Sequence, residues 1–232
     1  MTDVQSAPAG RQAMTLSGPF VPDERRKIGR RFTDALVLAA ELHAGQRRKG
    51  KGPPYVAHLL GVTALAFDFG ATEDEAIAAL LHDAIEDAPA DLGAAGVRRL
   101  IGEHFGATVL HIVEGCTDGD EVPKKPWRER KHAYVAHVAA VDASTLLVSA
   151  CDKLHNVRAI VRDYRLVGDD LWTRFSPEAG MPGVVGYYRG LVTAFRARAD
   201  AAPPGFQRLV TELEAEVDTL EQLTGCQGRW PL

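Results

Sequence analysis

The stretch 80–87 (LLHDAIED) sets four ionisable side chains into an otherwise apolar segment. If it forms an α-helix, with about 100° between successive residues, the four fall within an arc of roughly 140°. They are His82, Asp83, Glu86 and Asp87. The opposite arc is apolar, which predicts that the helix is buried along that stripe. Three carboxylates on one face of a packed helix repel one another unless a positive charge lies among them, so the stretch predicts a divalent metal site.

Length and charge limit the classes of protein that fit this chain. Its 232 residues, 46% hydrophobic and 25% charged, can bury one sizeable core, and no shift in composition indicates a second domain. The formal net charge is -4, which does not favour binding of a long nucleic acid. A local basic pocket for a small phosphorylated ligand, and a homo-oligomer, stay compatible with this composition.

Cysteine usage and the N-terminal residues indicate a cytoplasmic protein. The three cysteines are odd in number and have no CxxC spacing, which fits a reducing compartment better than a disulfide framework. No apolar run approaches the ~20 residues of a membrane span, so we expect no membrane partner. Residues 1–22 have no periodicity and predict a disordered tail, which leaves residues 23–232 as one domain.

A second candidate metal ligand is His58, near the start of an apolar helix that is expected to end near Gly70. A lone histidine on such a helix is more often part of the core than a ligand. However, the word 72–75 (TEDE) predicts the capped start of the helix that carries His82. Two helices joined by a short loop usually pack antiparallel, which would bring His58 close to His82.

The stretch 146–158 (LLVSACDKLHNVR) turns abruptly from apolar to polar at Asp152. Asp152 and Asn156 are four residues apart and share a helical face. A buried aspartate needs a partner, and an ion pair with Lys153 is the alternative to metal binding. With Asp152 the candidate ligands are two imidazoles and two carboxylates, a set that suits Mn, Fe, Co, Ni or Zn better than Mg or Ca. The full set is His58, His82, Asp83 and Asp152.

A basic loop separates the first two helices. Residues 46–55 (QRRKGKGPPY) contain four basic residues among glycines and prolines that stop a helix. An arginine side chain can stack on a flat base or bind phosphate oxygens with two hydrogen bonds, whereas a lysine supplies a movable charge. The loop is therefore either a site for phosphate or purine or an ordinary solvated loop.

Taken together, these sequence motifs resemble those of a known family. The order His58, then His82-Asp83, then Asp152 resembles the HD-domain metal-dependent phosphohydrolases. A narrower set resembles the hydrolase domain of the RelA/SpoT-homologue family, whose stand-alone members are small alarmone hydrolases. The motifs of this narrower set are HAGQRRK at 43–49, PY at 54–55, LHD at 81–83, ED at 86–87, TD at 117–118, ERK at 129–131 and DKLHN at 152–156. The resemblance covers about residues 32–165.

The resemblance implies an all-α fold, a single HD-domain helical bundle, with residues 166–232 as additional C-terminal helices. It also implies a bound Mn²⁺ and removal of the 3′-pyrophosphate from (p)ppGpp, a small nucleotide. Glu86 and Asp87 match the pair that handles the attacking water. The expected substrate contacts are the basic and polar residues Arg47, Arg48, Lys49, Tyr55, Lys131, Lys153, Asn156 and Arg158.

Two departures from the family pattern leave alternatives open. The first candidate ligand, His58, lies in the motif AHL at 57–59, where the family commonly has Asn-His-Pro. The segment after Arg165 has no counterpart that we can align, so a (pp)pApp hydrolase is an alternative. A broader HD-type nucleotide phosphohydrolase is another, although it should not need the basic residues 47–49 or the pair Glu86-Asp87. A non-enzymatic nucleotide-binding HD module would be expected to lack ligands. Nothing in the sequence resembles a synthetase half, so we expect hydrolysis without synthesis.

Overall fold

A computed structural model describes residues 28–49, 52–118, 123, 125–199 and 205–231, and within these ranges the chain is all α with no named strand. The predicted disordered tail, residues 1–22, lies outside the described residues. The helices, with a 3₁₀ segment at Gly168–Arg174 between the seventh and the eighth, are α1 (Arg30–Leu42), α2 (Val56–Asp68), α3 (Glu73–Leu81), α4 (Gly93–Phe105), α5 (Ala107–Cys116), α6 (Trp127–Val138), α7 (Ala143–Val167), α8 (Gly180–Arg196) and α9 (Phe206–Thr224).

The long helix α7 runs through the centre of the fold and packs against α2, α3, α5 and α9. Its start is fixed by Asp142, whose Oδ1 accepts hydrogen bonds from the backbone N–H groups of Ser144 and Thr145. The next two turns, from Thr145 to Asp152, are buried all round, as expected for a helix that is hydrophobic on every face. From this fixed starting point the helix carries Asp152 into the core and places the half-buried Asn156 one turn later.

The helices α2 and α3 form the pair that the sequence predicted. The side chain of Thr72 accepts from the backbone N–H of Glu75, and Glu75 accepts from the backbone N–H of Thr72, which is a complete capping box. The capping box fixes where α3 begins, and therefore where its far end meets α2.

The helix that leads to His82 is shorter than predicted. It ends at Leu81, and residues 82–87 form turns, so the prediction of a continuous helix over 80–87 is wrong. Nδ1 of His82 hydrogen-bonds the carbonyl oxygen of Ala79 at 2.9 Å. In a continued helix that carbonyl would accept from the backbone N–H of Asp83. The side chain of His82 thus occupies the carbonyl oxygen that the next helical turn would have used. The four ionisable groups therefore do not share one helical face.

The C-terminal helices pack onto the rest of the fold. Both α8 and α9 contact α7, and α6 packs against α8. Gly205, just before α9, lies against the backbone of Phe69, where a β-carbon would come within 2.2 Å of the Phe69 carbonyl oxygen. No helix in the described ranges is both long enough and apolar enough to span a membrane. The division into a core at 32–165 and an extension at 166–232 stays a prediction.

Candidate metal centre and adjoining cavity

Four ligand-type atoms converge where the first turn of α2, the turn after α3 and the middle of α7 meet. Oδ1 of Asp152 lies 3.2 Å from Nε2 of His58 and 3.5 Å from Nε2 of His82. Oδ2 of Asp83 lies 3.0 Å from Nε2 of His82 and 3.6 Å from Nε2 of His58. The fold thus brings together all four side chains that the sequence nominated as metal ligands.

Ligand atoms of His58, His82 and Asp83 all lie within 4.8 Å of one another, as in a metal site. Asp152 joins this group through the two imidazoles, at 3.2 and 3.5 Å. Atoms that each lie about 2.1 Å from one ion are about 3.0 Å apart at right angles and about 3.4 Å apart at tetrahedral angles. Nε2 of His82 is buried and has no hydrogen bond of acceptable geometry among the described residues. Because Nδ1 of His82 is bound to a backbone carbonyl, Nε2 is the ring nitrogen that faces the other ligand atoms. A buried donor atom of this kind is what a metal ion would satisfy.

The charges in the cluster compensate one another. Burial alone would raise the pKa of Asp83, but the nearby His82 and His58 hold it well below its usual range. Burial would likewise raise the pKa of Asp152, but Lys153 and the same imidazoles lower it. Burial would lower the pKa of His82, but the two carboxylates raise it well above its usual range. The two carboxylates are therefore favoured in their charged forms, which are the forms that bind a cation.

A second layer of side chains holds the two carboxylates. The Tyr55 hydroxyl donates to Oδ2 of Asp83 at 2.5 Å. The Lys153 ammonium donates to Oδ2 of Asp152 at 2.6 Å, and the Asn156 amide donates to Oδ1 of Asp152 at 2.5 Å. The sequence suggested all three as substrate contacts, and it left the Lys153 ion pair as an alternative. Partners of this kind orient metal ligands.

His155 supports the first imidazole, a role that the sequence did not suggest. Its Nδ1 lies 2.9 Å from Nδ1 of His58, which leaves Nε2 of His58 facing the cluster. Burial and the neighbouring His58 lower the pKa of His155 to about 4, so the ring is neutral and can accept a hydrogen bond. The only available signal was Gly61 in an otherwise apolar helix. A β-carbon at Gly61 would come within 2.3 Å of Nε2 of His155.

The predicted acid pair follows the ligands in the turn segment. Glu86 is half-buried, whereas Asp87 is exposed. Oδ2 of Asp87 accepts from the Gln46 amide at 2.8 Å, and Oε1 of Gln46 lies 2.5 Å from Nδ1 of His43. The ring of His43 stacks on that of Tyr55 with centroids 5.2 Å apart. The basic loop, the acid pair and the metal cluster are therefore physically connected.

A cavity of about 510 Å³ adjoins the cluster. Tyr55, Lys153 and Asn156 line it, and each also binds a carboxylate of the cluster. The lining combines cationic and aromatic side chains, the mixture that binds a phosphorylated planar ligand. The cations are Arg48, Lys49, Lys131, Lys153, Arg162 and Arg174, and the aromatic residues are Tyr55, Trp127, Phe175, Tyr187 and Tyr188.

The predicted substrate contacts divide between this cavity and other places. Arg48 lines the cavity and donates to Oδ1 of Asn156 at 2.7 Å. Lys49 lies above the ring of Phe175, 5.8 Å from its centroid. Arg47 is exposed and donates to the carbonyl of Gly52 at 3.0 Å, which closes the basic loop.

Two further predicted contacts, Lys131 and Arg158, have carboxylate partners. Lys131 lines the cavity and pairs with Asp118. Arg158 does not line the cavity, because its guanidinium binds Glu212 at 2.7 Å and Glu216 at 3.3 Å on α9. The structure therefore places Arg158 in an ion-pair cluster between helices rather than at the cavity.

The sequence missed one wall of the cavity. This wall comes from the 3₁₀ segment and α8, and it includes Arg174, Phe175, Tyr187 and Tyr188. Tyr187 and Tyr188 are adjacent residues in a mostly apolar helix, where they would be taken for core residues, and they are only 5% and 6% exposed. Which buried ring also faces a cavity depends on contacts between distant helices, so no local pattern could have identified this wall.

Comparison with known proteins assigns residues 35–181 to the HD domain family. Guanosine-3′,5′-bis(diphosphate) 3′-pyrophosphohydrolase MESH1 of Xenopus tropicalis is 38% identical over 132 residues, which cover 56% of this chain and 69% of the relative. GTP pyrophosphokinase rsh of Brucella suis is 33% identical over 172 residues, 71% of this chain but 22% of the relative. The solved structure of a metazoan ortholog of SpoT that hydrolyses ppGpp superposes with a TM-score of 0.60 at 24% identity, covering 85% of this chain and 97% of that one. These matches confirm the predicted fold.

Proposed function

The chain belongs to the HD-domain family, and on that premise we propose that it is a metal-dependent pyrophosphohydrolase that removes the 3′-pyrophosphate from the guanosine alarmones (p)ppGpp. One observation carries the proposal: two imidazoles and two carboxylates converge beside a cavity lined by cationic and aromatic side chains. The relative named MESH1, a hydrolase of this type, supports the choice of substrate.

We further propose Mn²⁺ as the cation, held by His58, His82, Asp83 and Asp152. Two nitrogen and two oxygen donors suit this metal and other first-row transition metals. Such an ion would lower the pKa of the attacking water and shield the negative charge of the phosphoryl group. Tyr55, Lys153 and Asn156 donate hydrogen bonds to the two carboxylates and so keep these ligand atoms in position.

Glu86 and Asp87 are our candidates for proton transfer. They follow the ligand pair His82-Asp83 within the same turn segment. The Gln46 amide holds the Asp87 carboxylate at 2.8 Å. A carboxylate so placed can take a proton from water or steer it toward the phosphorus, and the second can protonate the leaving oxygen.

The cavity supplies the binding energy for the nucleotide. Aromatic and apolar walls suit a base, while Arg48 and Lys49 supply charge at the basic loop. The chain has a formal net charge of -4, so a polyanionic substrate must be neutralised locally. Six cationic side chains line the cavity, and four of them share three carboxylates. Asp163 pairs with Arg162 and Arg174, Asp118 with Lys131, and Asp152 with Lys153. This local excess of positive charge suits an alarmone better than an uncharged nucleoside.

Product analysis tests the function directly. Protein reconstituted with Mn²⁺ is incubated with ppGpp, pppGpp, pppApp, dGTP and AMP, and the released pyrophosphate and nucleotide are identified. We expect pyrophosphate and GDP from ppGpp. Turnover of pppApp alone would replace guanine by adenine in the proposal. Phosphate from AMP or triphosphate from dGTP, without turnover of any alarmone, would overturn it in favour of a broader nucleotide phosphohydrolase.

A further inference from the structure

The Tyr187 hydroxyl is a polar group that the proposed chemistry leaves unexplained. Tyr187 lies on α8 and lines the cavity, and its side chain is 5% exposed. Its Oη is buried and has no hydrogen-bond partner within the described ranges. A buried hydroxyl without a partner is unfavourable, and native structures contain few such groups. A ligand oxygen in the cavity would satisfy it.

The surroundings of this hydroxyl are cationic. Nζ of Lys131 lies 5.0 Å from the centroid of the Tyr187 ring. Lys153 lies close enough that its charge acts on the phenol, and it lines the same cavity. The ring of Trp127 packs edge-on against Tyr187 at 6.1 Å between centroids and holds it in place. Because burial raises the pKa of Tyr187 well above its usual range, the phenol keeps its proton and is a hydrogen-bond donor.

The carboxylates near these lysines do not cancel their charge. Asp118 is shared between Lys131 and Arg130, the latter at 2.9 Å. Asp152 gives Oδ2 to Lys153 at 2.6 Å, while its Oδ1 faces the imidazoles of the metal cluster. Once Asp152 also compensates a metal ion, positive charge remains beside Tyr187. An anion is the ligand that suits this part of the cavity.

We propose that the Tyr187 hydroxyl, with the ammonium groups of Lys131 and Lys153, forms a subsite for a second phosphate group of the nucleotide, one that is not hydrolysed. One O–H donor and two ammonium groups match the several acceptor oxygens of a phosphate. Lys153 separates this subsite from the metal cluster, because it binds the oxygen of Asp152 that faces away from the two imidazoles. The inference rests on the proposed function, where this group is the 5′-phosphate end of ppGpp.

The subsite would select the class of substrate. A nucleotide phosphorylated at two positions can reach the metal cluster with one group and Tyr187 with the other. A nucleotide phosphorylated only at the hydrolysed end leaves the Tyr187 hydroxyl unsatisfied and gains nothing from it. Tyr187 thus acts on binding of the remote group rather than on the reacting atoms.

Steady-state kinetics of Tyr187→Phe test this role. Loss of one hydrogen bond to a charged group should raise KM for ppGpp about 10-fold to 100-fold, with kcat nearly unchanged. For guanosine 3′-diphosphate, which lacks 5′-phosphates, KM should not change. Because the hydroxyl bonds no described residue, the variant should unfold at the same temperature as the wild type or higher. Tyr164→Phe is the matched control, since its hydroxyl donates to Asp169 away from the cavity.

Calorimetric titration with GDP separates this proposal from the proposed function, because GDP carries the 5′-phosphates and needs no turnover. If Tyr187→Phe binds GDP about 10-fold more weakly than the wild type does, and guanosine equally well, the subsite stands even if no alarmone is hydrolysed. Equal GDP affinity of the two proteins, or equal rises in KM for ppGpp and guanosine 3′-diphosphate, would overturn the subsite even if ppGpp is hydrolysed.

Discussion

The metal cluster and the cavity beside it differ in how far their polar side chains are paired with other side chains. In the cluster both carboxylates have hydrogen-bond donors of their own, and His58 rests on His155. In the cavity the cationic groups share few carboxylates, and the Tyr187 hydroxyl bonds no described residue. The partners of the two carboxylates and of His58 hold these ligands in place before a cation binds, whereas the Tyr187 hydroxyl gains a partner only when a ligand arrives. The comparison predicts that rate depends on the cluster and affinity on the cavity.

The largest effect should come from breaking the cluster itself. Asp83→Asn removes one of two charged ligands, so we expect loss of Mn²⁺ from the purified protein and no turnover above background. Supporting residues alone commonly change metal affinity 10-fold to 100-fold, and a direct ligand should exceed this range. The readouts are metal content and alarmone hydrolysis. Asp34→Asn, on an exposed i,i+4 ion pair, is the matched control and should keep both. A metal-replete Asp83→Asn protein would remove this residue from the ligand set.

Changing the acid pair should separate chemistry from metal binding. The double variant Glu86→Gln with Asp87→Asn should retain Mn²⁺, because neither carboxylate belongs to the converging set. Loss of a positioned acid or base typically costs about 10² to 10⁴ in rate. Rapid-quench measurement of kcat, with metal content as the control, checks this expectation. Wild-type kcat in the double variant would exclude proton transfer by the pair.

A smaller effect should follow from disturbing the support of His58. Gly61→Ala forces the His155 ring away, since the new β-carbon would lie 2.3 Å from its Nε2. We expect Mn²⁺ affinity to fall about 10-fold to 100-fold. Gly102→Ala, in helix α4, is the matched control, because its β-carbon meets only the end of Leu110 at 3.4 Å. Unchanged affinity in Gly61→Ala would show that His155 does not position the ligand.

The smallest effect should come from Arg158, which joins the central helix to α9. Its guanidinium is 39% exposed, and ion pairs of this kind contribute about 0–1 kcal/mol. Arg158→Met should therefore lower the free energy of unfolding by less than about 1 kcal/mol and leave KM unchanged. Chemical denaturation and steady-state kinetics measure both quantities. A clear rise in KM would restore Arg158 as a substrate contact, as the sequence suggested.

Sequence reasoning was most successful where chemistry is local. The motif TEDE at 72–75 correctly predicted the start of α3, because the side chains of Thr72 and Glu75 each accept a hydrogen bond from the other residue's backbone N–H. The four candidate ligands, which come from three separate motifs, lie together in the fold. Their role as metal ligands stays a prediction. The predicted helix over 80–87 was wrong because the His82 side chain binds a backbone carbonyl, which helical periodicity does not register.

The cavity wall lay beyond sequence reasoning for a different reason. Tyr187 and Tyr188 stand in a segment that none of the matched words covers, and in isolation they fit an ordinary core helix. The two tyrosines face Lys131 and Lys153 because of the way α8 packs against α6 and α7. His155 was missed similarly, because its partner His58 is 97 residues away. Contacts between distant segments decide these roles.

The central claim is that four side chains from three segments bind one divalent cation. Anomalous diffraction from crystals soaked in Mn²⁺ tests it most directly. We expect one strong peak within about 2.0–2.3 Å of Nε2 of His58, Nε2 of His82, and one carboxylate oxygen each of Asp83 and Asp152. A manganese peak elsewhere, or none among these four atoms at saturating Mn²⁺, would show that the four side chains do not share a cation.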